Sequence, residues 1–144
     1  MAISLVRILV VDDFEPWRQQ VCSILGARPE LRVVAEAADG LEAVQKAEEL
    51  KPDLILLDIG LPSVDGLEAA NRISQLALGA KIIFVGQNSD KDTVRAALSN
   101  GAQGYVVKTD APSELLAAVA AVLGGDRFLS RGIKGHDSGE TKES

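Results

Sequence analysis

Ile8-Leu9-Val10-Val11-Asp12-Asp13 sets the fold. Four apolar residues without polar alternation are the mark of a strand covered on both faces, as in a parallel sheet, and the paired acids end the run. A helix is expected next. Phe14, Trp17, Val21 and Ile24 recur at three- and four-residue spacing, an amphipathic stripe that stops near Gly26 and Pro29.

The same cycle recurs along the chain. Val33-Val34-Ala35 precedes a helical stretch from about Gly40 to Leu50, and Leu54-Ile55-Leu56-Leu57 precedes one from about Gly66 to Gln75. Ile82-Ile83-Phe84-Val85 leads to Lys91 through Ser99, and Gly104-Tyr105-Val106-Val107 leads to Ser113 through Leu123. Five strands alternating with five helices predict an α/β, doubly wound, five-stranded parallel sheet with order 2-1-3-4-5, right-handed crossovers and helices on both faces. A single domain over residues 1–125 is expected, followed by a polar, disordered tail over 126–144.

Asp39-Gly-Leu-Glu-Ala43 recurs as Asp65-Gly-Leu-Glu-Ala69. Each Asp is expected to cap a helix while the Glu three residues on reaches back, so the likeness reads as two caps and not as a duplication.

Composition narrows the function. Fifteen Lys and Arg against 21 Asp and Glu give a net charge of −6, which opposes broad attraction to nucleic acid or anionic membrane. Cys22 is the single cysteine, so there is no internal disulfide and no paired-thiol zinc site, which suits a cytoplasmic protein. Met1 to Val11 is too short and too charged for a membrane span or a complete signal peptide.

In an open parallel sheet, functional groups gather beyond the carboxyl ends of the strands, where strand order reverses. Asp12 and Asp13 end the first strand, Asp58 the third and Lys108 the fifth. A lone Asp after a strand is ordinarily a cap or turn residue. An alignment of Asp-Asp, Asp and Lys on one edge is not explained that way. Three converging carboxylates need a counter-charge, and an all-oxygen site open to solvent suits Mg²⁺. The Lys108 ammonium could neutralise an incoming phosphoryl oxygen.

Val10-Val11-Asp12-Asp13, Leu57-Asp58-Ile59-Gly60-Leu61-Pro62 with Gly66 beyond it, and Gly104-Tyr105-Val106-Val107-Lys108 together resemble the receiver domains of two-component response regulators, over roughly Arg7 to Leu123. The resemblance implies a flavodoxin-like fold, Asp58 as phospho-acceptor, and Asp12, Asp13 and the Gly60 backbone carbonyl joining Asp58 around Mg²⁺. It also implies Lys108 as the phosphate-binding lysine and Tyr105 as an aromatic that changes rotamer on activation. The expected donor is a sensor histidine kinase or a phosphotransfer protein. The output partner is unnamed, with a second copy of the chain among the candidates.

One family residue is absent. A Ser or Thr usually follows the fourth strand and bonds the phosphoryl group, whereas here Val85 is followed by Gly86, Gln87 and Asn88. Gln87 or Asn88 is the expected substitute donor, and Gly86→Ser or Gly86→Thr is expected to strengthen switching. The stretch Glu36 to Ala43 looks most like receivers that precede a LuxR-type DNA-binding module. About twenty residues follow Leu123 where such a module needs on the order of sixty, so direct DNA binding by this chain is not expected.

Two other readings compete. Gly86 motivates a phosphorylation-independent scaffold. An Asp-nucleophile phosphohydrolase needs a second acid two residues after the nucleophile, where this chain has Gly60. The chain is therefore read as a signalling module with self-catalysed phosphotransfer and slow autodephosphorylation, not as an enzyme for outside substrates. Cys22 and Trp17 are expected to serve packing, and His136, Ser130, Ser138, Thr141 and Ser144 to be solvated tail residues.

Overall fold

The computed structural model describes residues 5–76, 79–87 and 89–133. Asn88, His136, Ser138, Thr141 and Ser144 lie outside the described residues. Strands β1 (Val6–Val11), β2 (Leu31–Ala37), β3 (Leu54–Leu57), β4 (Lys81–Gly86) and β5 (Gly104–Val107) alternate with helices α1 (Glu15–Leu25), α2 (Gly40–Leu50), α3 (Gly66–Gln75), α4 (Lys91–Ser99) and α5 (Ala111–Leu123). A single 3-10 turn, Lys108–Asp110, leads into α5.

The sheet is parallel with order β2-β1-β3-β4-β5, as expected, and gains a sixth strand at its far edge, β6 (Phe128–Leu129). Phe128 pairs with Gly104 and Leu129 with Tyr105. The sheet therefore has six strands where five were expected, and the chain stays packed on it past residue 125. Ser130 is 0% exposed, a correction to its reading as a solvated residue. Its hydroxyl accepts from the Val107 N–H at 3.1 Å and donates to Glu114 at 2.6 Å, while Ile133 is buried in the core.

Alternate residues of each strand face opposite layers. Leu9, Ile55 and Phe84 pack with α2, α3 and α4, whereas Ile8, Leu56 and Ile83 pack with α1 and α5. This two-sided cover explains the unbroken apolar runs.

The two Asp-Gly-Leu-Glu-Ala stretches cap α2 and α3: Asp39 accepts from the Glu42 N–H at 2.8 Å, and Asp65 from the Glu68 N–H at 2.9 Å. Only Glu42 reaches back, accepting from the Ala38 N–H, whereas Glu68 pairs with Arg72. The paired glycines have a packing reason. A Cβ at Gly40 would collide with the Val64 backbone, and one at Gly66 with the Asp58 and Ile59 backbone, so both helix starts close on the loop after β3.

The α1 stripe is shifted from its expected place. Val21 and Leu25 are buried, while Phe14 precedes the helix as its cap residue and is 61% exposed. Trp17 and Cys22 are half-buried against the core, and burial pushes the Cys22 thiol up. Among the described residues no helix is long and apolar enough to cross a membrane.

Candidate functional site

β1 and β3 are neighbours in the sheet, so the residues just after them meet. The Asp12, Asp13 and Asp58 carboxylates offer oxygens that all lie within 4.8 Å of one another. These acids, with Gly60, Gly86 and Lys108, line an open cleft of about 320 Å³ at the strand ends, to which Gln87 and Tyr105 also contribute. The expected residues that fall within the described chain are thus brought together at one site.

Each acid has a different setting. Asp12 is 1% exposed, accepts from the Phe14 N–H at 2.9 Å, and receives the Lys108 ammonium at 2.7 Å. Asp13 faces solvent. Asp58 is mostly buried, with the Lys108 ammonium 3.8 Å from its carboxylate. Burial, then the neighbouring Asp12, raise the Asp58 carboxyl above its ordinary range; Asp13 adds to this, while Lys108 and a hydrogen bond from the Gly60 backbone oppose it. A carboxyl that burial and then adjacent acids make reluctant to lose its proton is one that a bound cation would relieve.

Two neighbours escaped the sequence reading. The Trp17 ring lies under the Lys108 ammonium, 5.3 Å from it, and Arg18 donates to the Asp12 backbone carbonyl at 2.7 Å. Both sit on the first turn of α1. The only signal for them was their position directly after the acidic pair.

Residues 8–120 match the family described as the response regulator receiver domain. The chain belongs to that family. This receiver is 34% identical over 126 residues to the nitrate/nitrite response regulator protein NarL of Escherichia coli, covering 88% of the chain and 58% of that protein. It is 35% identical over 131 residues to the transcriptional regulatory protein LiaR of Bacillus subtilis, covering 91% and 62%. The chain therefore spans about three fifths of the length of these curated relatives.

Solved structures agree. A LuxR-family two-component response regulator from Aurantimonas superposes with a TM-score of 0.86 at 37% identity, over 90% of this chain and 93% of that one. The response regulator domain of Thermotoga maritima CheB gives 0.79 at 34%, over 85% and 98%. This receiver is a signalling domain of two-component systems.

Proposed function

We propose that this receiver accepts one phosphoryl group on Asp58 from a sensor histidine kinase or a phosphotransfer protein in the cytoplasm, and thereby changes its affinity for an output partner. The observation that carries this reading is the cluster of three carboxylates within 4.8 Å, with the Lys108 ammonium 3.8 Å from Asp58. An oxygen-only donor set in an open cleft fits Mg²⁺, with Asp12, Asp13, Asp58 and the Gly60 backbone carbonyl as its holders. The chemistry a bound Mg²⁺ supplies there is charge neutralisation at the phosphoryl oxygens.

The chain's own groups do the rest. An Asp58 carboxylate oxygen forms the new bond to phosphorus as the P–N bond of the donor phosphohistidine breaks, and the imidazole nitrogen keeps that electron pair. Lys108 lies close enough to turn from Asp12 toward the transferred group, where its charge stabilises the equatorial oxygens. The buried position of Asp58 limits water at the acyl phosphate, in keeping with slow autodephosphorylation. The nucleophile, acids and lysine are all present despite Gly86, so nothing in the site favours a scaffold without phosphorylation, and Gly60 leaves the phosphohydrolase reading without its general acid.

Incubation with acetyl phosphate and Mg²⁺, followed by intact-mass measurement, should show one phosphoryl adduct. The adduct should need Mg²⁺ and disappear in Asp58→Asn. An equal yield from that variant would overturn the assignment.

A further inference from the structure

The end of β4 holds an arrangement that composition and spacing do not reveal. A Cβ built on Gly86 would lie 2.6 Å from the Tyr105 hydroxyl oxygen and 3.3 Å from its Cζ. The first separation is shorter than a side-chain carbon and a hydroxyl can share. Tyr105 pairs with Phe84 across the β4–β5 ladder, the two rings are 6.5 Å apart, and Tyr105 is 0% exposed. The ring is thus held inward, and its hydroxyl occupies the place where a side chain at position 86 would begin.

That place borders the phospho-acceptor cleft, which Tyr105 lines together with Asp58, Gly86 and Lys108. Burial, and then the negative charges of Asp58 and Asp90, push the Tyr105 hydroxyl up to about 12. It keeps its proton at neutral pH and is a donor there.

We propose that the Tyr105 hydroxyl supplies the hydrogen bond that the missing side chain at position 86 would have given, donating to a phosphoryl oxygen on Asp58 from the place the ring already holds. The proposal rests on the phospho-acceptor reading above. It replaces Gln87 and Asn88 as the expected substitute donors. It also reverses the expectation for Gly86: a Ser or Thr introduced there does not repair the site but drives the Tyr105 ring out of it.

Beryllofluoride with Mg²⁺ serves as the probe, its binding to the full chain followed by fluorine NMR and by the Tyr105 ring protons. Tyr105→Phe keeps the ring and removes the donor, and should weaken beryllofluoride binding by about tenfold or more, the worth of a hydrogen bond to a charged group. Gly86→Ser alone should shift the Tyr105 ring signals even without beryllofluoride.

The double variant Gly86→Ser, Tyr105→Phe should recover most of the lost affinity, because the new Cβ would then face a ring carbon at 3.3 Å and no hydroxyl. Equal binding by wild type and Tyr105→Phe, with binding abolished in Asp58→Asn, would overturn this proposal and leave the phospho-acceptor reading standing. A loss in Tyr105→Phe that the folded double variant does not recover would overturn the shared-place argument. A wild-type chain that takes up no beryllofluoride would sink the phospho-acceptor reading and this proposal with it.

Discussion

The two halves of the strand-end cleft are built by opposite rules. On the β1–β3 side, the backbones of the loop after β3 and of two helix starts press together at Gly40 and Gly66, with no room for a Cβ at either. On the β4–β5 side, Gly86 leaves room, and the Tyr105 ring fills it. The acceptor half is therefore fixed by main chain and tolerates little change. The other half is fixed by side-chain shape, so exchanging two residues can rebuild it.

The sharpest way to break this contrast is Lys108→Ala. Removing a charged donor aimed at the transferred group should lower the rate of phosphorylation by acetyl phosphate by about a hundredfold or more. It also strands Asp12, 1% exposed, without its 2.7 Å partner, so the Mg²⁺-free variant should unfold at lower urea, by about 3 kcal/mol. Added Mg²⁺ should restore part of that stability; identical unfolding curves for variant and wild type would mean that the pair is not structural.

Gly66→Ala tests the main-chain half directly. Its Cβ would meet the Asp58 carbonyl and the Ile59 Cα, costing about 1–3 kcal/mol or more in urea unfolding. Gly60→Ala meets nothing within 4 Å and should stay within about 0.5 kcal/mol of wild type. A similar cost for both would remove the argument from close approach.

Ser130→Ala probes the far edge of the sheet. It leaves the buried Val107 N–H without its 3.1 Å acceptor, and a loss of about 1–3 kcal/mol is expected in thermal or urea unfolding.

The smallest effect concerns Asp58 itself. Its carboxyl is raised in the folded chain above the ordinary 3.8, so folding takes up a proton as pH falls through the window between the two values. The folded state therefore loses stability as pH climbs through that window, and Asp58→Asn should be the more stable form at neutral pH without Mg²⁺. The difference should vanish below pH 3.8 and shrink when Mg²⁺ is added. A variant less stable than wild type at pH 7 would mean that the acids do not strain one another.

Elements with their own punctuation were legible from sequence. α2 and α3 begin where an Asp cap and a Gly stand together, and β3 and β5 are apolar runs bounded by turn residues or charge. Asp12, Asp13, Asp58 and Lys108 were legible because strand ends fix where backbone, and hence side chain, must go. β6 was not: Phe128 and Leu129 are too few to show a period, and their pairing is decided by β5, over twenty residues earlier in the chain. The misplaced Phe14 shows a second limit, since helical spacing cannot tell a cap residue from the first buried position. The inward Tyr105 ring was also out of reach, because its rotamer depends on what position 86 lacks.

β6 has a consequence for how this chain behaves among other chains. A bare β5 would present its outer N–H and C=O groups as a template for any extended segment. The Phe128 N–H instead donates to the Gln103 carbonyl at 3.2 Å and the Ser130 N–H to the Tyr105 carbonyl at 3.0 Å. The outermost strand on that side is then only two residues long. At the opposite edge β2 carries exposed Arg32 and Glu36, charges that discourage a neighbouring strand from docking. Both margins of the sheet are thus guarded against edge-to-edge aggregation, one by brevity and the other by charge.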